Sequence, residues 1–275
     1  TQWGAAHAPK ILATVDGTLR RLFGWDTDAA GHEYRAFLQA LLPALRRHLA
    51  SRNLLDACRF HLSDEPGAAH LARYRDAYQL VSSCLGGLPI LDALSDRSFG
   101  RMGPDHIPVV ALDHIGPFLD AGIRPLWGYY CCGQDREVSN RFFAMPSIRN
   151  RILGVQTYVH DLQGFLHWGY NFYNSRLSLR AVDPYAVTDA DGAFPSGDPF
   201  SVYPVPDGCT ESLRLMVFHD ALQDHRALCL LEDRVGREGV LALVRNHFGP
   251  DFSFFRYPMD PDPLLRFRDE INGLL

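Results

Sequence analysis

Hydrophobic positions between Gly31 and Ser51 recur at helical spacing, with Tyr34, Phe37, Leu38, Leu41, Leu42, Leu45 and Leu49 falling on one stripe. Such a stripe predicts an amphipathic helix with one buried face. Pro43 lies inside it, and because the stripe stays in phase on both sides, a kink is expected there instead of a stop. The period then changes. In "ACRFHLSDE", residues 57–65, Phe60 and Leu62 alternate with Arg59, His61 and Ser63, as in a half-buried strand. Pro66 suits the first turn of a following helix, which runs to about Cys84 with Leu71, Tyr74, Tyr78 and Val81 on one face. "LPILDALS" (88–95) and "IPVVALDH" (107–114) read as buried strands, "RPLWGYYCC" (124–132) follows them, and "GFLHWGYNFY" (164–173) comes after a helix over about 147–161.

Strands that alternate with helices, each a nearly continuous apolar run, indicate a parallel sheet covered on both faces. A (β/α)8 barrel and a doubly wound sheet are the two candidates. No glycine-rich dinucleotide or phosphate-loop motif follows any strand. The polar and aromatic residues gather instead where strands are expected to end: Asp64 and Glu65, Asp92, Asp113 and His114, Tyr129 and Tyr130, Trp168 and Asn171. That is the distribution of a TIM-type barrel whose site is built at its C-terminal mouth. The expectation is therefore an α/β chain, one domain over 1–275, with a core over about 31–247 and C-terminal helices over 237–275. About five strands from Ala57 onward, with one extended piece near "PKILATV", leave an eight-stranded barrel incomplete at its N-terminal end. The Pro-, Gly- and Asp-rich stretch 183–208 reads as a long ordered loop. A helix capped by Thr210 follows to about Asp233, then helices over 237–247 and the tail.

Composition narrows the function classes. The 275 residues carry a net charge of −5 with no basic stripe, so nucleic acid is not an expected partner. No apolar run approaches the roughly 20 residues of a membrane helix, and "TQWGAAHAPK" lacks the segments of a signal peptide, so no membrane association is expected. The six cysteines form no C-x-x-C pair and read as mostly buried thiols, which leans towards a reducing, cytoplasmic compartment and leaves localisation open. His61, Glu65 and His70 do not have metal-ligand spacing, and "DADG" (189–192) lacks the remaining ligands of a calcium loop and reads as a turn. No metal is expected.

Paired carboxylates are the usual equipment of glycoside hydrolysis. Here the pair, Asp64 and Glu65, is adjacent in sequence. Neighbouring strand-end acids come from one side of a sugar and do not readily place a base and an acid on opposite faces of the ring. They suit substrate assistance, in which a 2-acetamido group is the nucleophile, one carboxylate holds its N–H and the other is the acid. That role needs Glu65 protonated near neutral pH, and partial burial beside Asp64 is expected to raise its pKa. The alternative is plain structure, Asp64 capping the helix that starts at Pro66. Trp127, Tyr129, Tyr130 and Trp168 offer faces on which sugar rings stack, or core packing. His61 shares strand parity with Glu65 and is either an orienting group or an interior histidine.

"FHLSDEP" (60–66), the stretch 125–173 with its "GFLHW" strand, "GDPFSVYP" (197–204) and "ESLRLMVFHDALQDHRAL" (211–228) resemble, in this order, the catalytic domain of glycoside hydrolase family 123, within the broader domain of unknown function 4091. The resemblance covers about 31–244. It implies a (β/α)8 barrel and a retaining β-N-acetylgalactosaminidase using substrate assistance, with no cofactor and a carbohydrate or glycoconjugate as partner. Carried over, Asp64 orients and polarises the acetamido group and Glu65 is the general acid, then base. His61, Asp113, Trp127, Tyr129, Tyr130, Trp168 and Asn171 are the expected substrate contacts. The chain departs from the family pattern at His219-Asp220-Ala221 and at Gly197-Asp198-Pro199, outside the acid pair. A glycosidase for a sugar lacking the N-acetyl group, and a non-catalytic carbohydrate-binding barrel, are the alternatives. Oligomeric state stays open.

Overall fold

Asp-Gly between two extended runs is a strong hairpin signal, and Asp16 and Gly17 take left-handed angles, φ 50° and 73°, that reverse the chain. The strands on either side, β1 (Ile11–Val15) and β2 (Thr18–Phe23), pair antiparallel. The computed structural model describes residues 6–275, and the chain divides into two units, 1–127 and 128–275.

In the first unit the amphipathic stripe forms α1 (His32–Ser51), with Pro43 inside it. It packs on α2 (Leu71–Leu85), which ends where Gly86 takes a left-handed φ of 64°. The two apolar runs become β3 (Ile90–Leu94) and β4 (His106–Ala111), paired in parallel with Ile90 opposite His106 and Leu94 opposite Val110. Tyr78 and Ser82 of α2 both donate to Asp105 at the entrance to β4, which ties the helix to the sheet. The expected strand over 57–65 shrinks to one parallel bridge, Phe60 with Ile90. Asp92 is the cause. The N–H groups of Leu62 and Ser63 donate to its carboxylate at 2.7 and 2.9 Å, so the backbone ladder gives way to a side chain.

The boundary between the units falls within β5 (Trp127–Tyr129), whose neighbour in sheet order is β6 (Gly164–Leu166) of the second unit. The helix expected over 147–161 is two short ones meeting at Ile152, α4 (Ile148–Arg151) and α5 (Leu153–Val159). Gly154 lets α5 approach the next long helix, because a Cβ there would collide with the Ala221 carbonyl oxygen. The end of the long loop folds into a hairpin that the composition concealed, β7 (Val202–Val205) with β8 (Gly208–Glu211). Thr210 therefore lies in a strand, and the helix cap is Ser212, whose hydroxyl accepts from the Leu215 N–H. From it α6 runs from Leu213 to Phe248 and breaks at Gly236, φ 71°, between the two helices the pattern expected. The tail is α7 (Pro261–Leu274). Ile152, Val155, Leu228, Leu231, Val240 and Phe267 form the core of this unit. Beside it the buried Asp224 accepts from both Arg151, at 2.8 Å, and Arg268, at 3.2 Å.

The described residues thus show an α/β chain with parallel pairing, and a closed eight-stranded barrel is not shown among them. The cysteines are free, but four are only partly buried, and Cys209 and Cys229 are exposed, which corrects the expectation of buried thiols. Residues 189–192 do form a turn, with Gly192 N–H donating to Asp189. Among the described residues no helix is long and apolar enough to cross a membrane, and no group of three or more acids, histidines or cysteines is placed to hold a metal ion.

Candidate active site

Asp64 and Glu65 stand exposed at the surface of the first unit, so the partial burial expected for Glu65 is absent. Neither caps the helix. Gly67 takes the N-cap position of the first short turn, its N–H donating to His70 Nδ1, and His70 precedes α2. What sets Glu65 apart is its backbone. Its φ is 39°, a left-handed value that disfavours any residue with a Cβ, and it directly precedes a proline, which restricts it further. The Glu65 N–H is fixed by the Ala93 carbonyl at 3.1 Å, just past the middle of β3.

Beneath this segment lies Asp92, fully buried. One carboxylate oxygen accepts from the Leu62 and Ser63 N–H groups, and His61 Nδ1 stands 3.0 Å from the same oxygen and 3.1 Å from the Leu91 carbonyl. A ring nitrogen facing two acceptors carries the proton. The other oxygen accepts the Tyr74 hydroxyl proton at 2.6 Å, and Tyr74 Oη lies 2.8 Å from His106 Nε2. Met102 N–H donates to His106 Nδ1, which puts the imidazole proton on Nε2 and makes Tyr74 its acceptor. The hydrogen bond to Asp92 raises the His61 pKa, burial lowers that of His106, and burial together with Asp92 pushes the Tyr74 phenol far up. His61 is half-exposed beside the acid pair, and the charge of Asp64 also acts on it. His61, Asp64 and Glu65 thus share one short segment laid along β3 and anchored by Asp92. Asp92 stood among the strand-end acids in the sequence, but it belongs to the middle of a strand.

Asp113 follows β4 in a short turn, partly buried, with His114 Nδ1 at 2.9 Å, and Trp127 is partly buried in β5. In the second unit Tyr129 and Tyr130 are buried. The Tyr130 hydroxyl donates to Asn150 Oδ1 at 3.2 Å, its ring packs on Phe165 and His167, and burial raises its pKa to about 12. Trp168 is partly open, and its indole N–H donates to the fully buried Asp198 at 3.0 Å. His167 Nδ1 accepts from Arg141 and from the Gly169 N–H, so Nε2 donates to the other Asp198 oxygen, 3.1 Å away. Burial holds the His167 pKa down to about 4. Gly169 permits this arrangement, since a Cβ there would meet the Asp198 and Pro199 carbonyl oxygens at 2.7 Å. Asn171 is exposed and pairs through its backbone with Phe200. Trp168 and Asn171 therefore share a segment laid against 198–200. The residues that hold it, Arg141, His167 and Asp198, were not among the expected site residues. Only the departure at Gly197-Asp198-Pro199 marked the place.

The family model described as "Glycoside hydrolase 123, catalytic domain" matches residues 1–231. Among solved structures, a family 123 glycoside hydrolase from Clostridium perfringens, studied for the details of glycolipid glycan hydrolysis, is similar at a TM-score of 0.63 and 13% identity. The match covers 99% of this chain and 48% of the other, so the chain spans about half the length of that relative. No curated protein matches.

Proposed function

This chain belongs to the family of glycoside hydrolase 123 catalytic domains, and from that premise we propose that it is a retaining glycosidase that removes a terminal β-linked N-acetylhexosamine, with N-acetylgalactosamine as the sugar. The reaction needs no cofactor. Asp64 holds and polarises the acetamido group, whose carbonyl oxygen attacks C1 as the glycosidic C1–O bond breaks, and Glu65 gives its proton to the leaving oxygen. Water then adds to C1 and gives a proton back to Glu65, and the oxazolinium ring reopens with configuration retained. Of the expected sugar contacts, His61, Asp113 and Trp127 lie in the first unit with the acid pair, and in the second unit Trp168 and Asn171 are the open contacts of their segment, whereas Tyr129 and Tyr130 are buried and support it from within. The parallel strands of the first unit are an arc of a (β/α)8 barrel, one glycosidase domain with the acid pair at its C-terminal mouth. Glycolipid glycans, the class studied with the C. perfringens relative, are the aglycone class we extend to this chain.

The observation that carries this reading is the backbone of Glu65. A non-glycine residue held at φ 39° is disfavoured by about 1–3 kcal/mol, and such residues gather at functional sites. Here the strained residue is one of the two acids, exposed, and tied down on the strand beneath. The test compares an aryl β-N-acetylgalactosaminide with the matching aryl β-galactoside. Turnover of the first alone is expected, with a loss of about 10²–10⁴-fold in Glu65→Gln. Equal turnover of both removes substrate assistance, and binding of N-acetylgalactosamine with turnover of neither favours the non-catalytic barrel.

A further inference from the structure

The second unit contains a cavity of about 380 Å³ between the loop after β5 and the start of α6, lined among others by Arg141, Phe143, Ser147, Asn150 and Arg214. Two arginines line one small space, and the hydrogen-bond partners of their guanidinium groups are neutral. Arg141 is buried, 6% exposed, and both its hydrogen bonds use Nη2, to the His167 imidazole and the Gly169 carbonyl. Arg214 donates through Nη2 to the Phe200 carbonyl at 2.7 Å. The Nε atoms of both are buried with no hydrogen-bond partner among the described residues. The charge of Asp198, which is bonded to the His167 ring that Arg141 holds, acts on Arg141 favourably, and the charge of Arg214 acts on it unfavourably. Two cations against one carboxylate leave the pocket with an excess positive charge. Burial holds both guanidinium pKa values below the ordinary range, the mark of charge poorly compensated where it sits.

The site is also closely packed. The Arg214 guanidinium lies 4.4 Å from the Phe143 ring centroid and 5.5 Å from that of Phe200. Gly197, at φ 90°, lets this stack close, because a Cβ there would stand 2.6 Å from Phe143 and 3.1 Å from Arg214 Nε. Asn150 adds an amide whose nitrogen is held by the Arg214 carbonyl, and Ser147 adds a hydroxyl at the exposed rim. Guanidinium groups fixed in this way favour planar or tetrahedral oxyanions, to which they offer forked, charge-assisted donors.

We propose that this pocket binds an oxyanion group, a carboxylate, sulfate or phosphate, carried on a ligand of about monosaccharide size. It supplies the counter-charge that the protein does not place beside Arg214. The site lies wholly within the second unit.

The experiment is calorimetric titration of the full chain with sodium sulfate, sodium phosphate and sodium glucuronate, in chloride buffer at constant ionic strength, with methyl glucoside as the neutral control. Saturable binding of at least one anion is expected, and the anion that binds distinguishes an inorganic-type group from a sugar carboxylate. In Arg214→Met the affinity falls tenfold or more. Ser147→Asp, at an exposed position, puts a carboxylate on the rim and weakens binding by a similar factor, and it carries the test if the Arg214 substitution does not fold. Absence of saturable binding by all three anions overturns the proposal. So does affinity within twofold of wild type in the folded variants, or no anion binding more tightly than methyl glucoside.

Discussion

Replacing Asp92 with asparagine keeps the shape of the side chain and removes its charge, and the hydrogen bonds around it determine the cost. Asparagine has one acceptor oxygen where Asp92 uses two. If that oxygen stays with the Leu62 and Ser63 N–H groups, the new amide N–H₂ faces Tyr74 Oη, which already receives the His106 Nε2 proton. His106 cannot change tautomer to help, because Met102 N–H occupies Nδ1. The Tyr74 hydroxyl proton then has no acceptor, at a cost of about 1–3 kcal/mol for one buried unsatisfied donor. The two backbone bonds also lose their charge assistance, roughly half the strength of each. The expected loss is about 2–4 kcal/mol, and the flipped amide is worse, since it turns a donor towards two N–H groups. Urea denaturation of wild type and Asp92→Asn measures it.

Two further readouts separate anchoring from general destabilisation. The His61 pKa is raised first by its hydrogen bond to Asp92, so in Asp92→Asn it returns towards the ordinary value near 6.5, visible in the imidazole proton resonance. The His61 contribution to stability is complete below that ordinary value and is lost as pH rises through the raised folded value, and the variant loses this dependence. Loosening the segment that carries Asp64 and Glu65 lowers kcat about tenfold to a hundredfold at temperatures where the variant stays folded. A variant within about 0.5 kcal/mol of wild type, with His61 titrating unchanged, would refute the anchoring argument.

His167 sets an acid-side dependence of opposite sign: its folded pKa is held to about 4 by burial, so stability falls as pH drops from about 6.5 towards 4, by up to about 3 kcal/mol. Denaturation midpoints across that window in wild type and His167→Gln check it, the variant being the flatter. Gly154→Ala drives a Cβ into the Ala221 carbonyl and forces α5 from α6, with an expected loss of about 1–3 kcal/mol or more in thermal unfolding. Glu65→Gly and Glu65→Ala both abolish turnover, but the glycine variant is the more stable by about 0.5–1 kcal/mol, because only glycine accepts a φ of 39° without strain. Equal stability of the two would remove the strain.

Periodicity was a good guide wherever one kind of burial governed a whole element. The stripe from Tyr34 to Leu49 became α1, the two apolar runs became β3 and β4, and the break in the long helix fell at Gly236. It failed where a side chain took over a backbone bond. Nothing in "RFHLSDE" discloses that an aspartate about thirty residues later receives the Leu62 and Ser63 N–H groups, since such a bond is a tertiary event with no local period. The hairpin at β7 and β8 was hidden differently. Its composition, rich in proline and glycine, reads as loop, and only the pairing of Val202 with Glu211 makes strands of it. The acid pair stands out in sequence as a candidate by residue type and adjacency, whereas Asp198 and Arg141 do not, because a buried charge looks in sequence like an exposed one.

The same long-range contacts explain why the strain at Glu65 persists. A disfavoured backbone survives only where its surroundings over-determine it. Three N–H groups in the stretch Leu62 to Glu65 are held by one strand: Leu62 and Ser63 by the Asp92 side chain, and Glu65 by the Ala93 carbonyl one residue further. On the other side the buried Pro66 limits how far the chain can unwind. With both flanks fixed, the turn at Glu65 has no neighbour into which to release its angle, and two carboxylates are presented outward from a segment that cannot relax. Anchor and strain are therefore one device. Loosening Asp92 lets Glu65 recover an ordinary φ, so Glu65→Gly, which gains stability over Glu65→Ala in the wild-type background, should gain little over it once Asp92 is asparagine. Measured as a double-mutant cycle, this non-additivity distinguishes a strained site held by its anchor from two unrelated features of one loop.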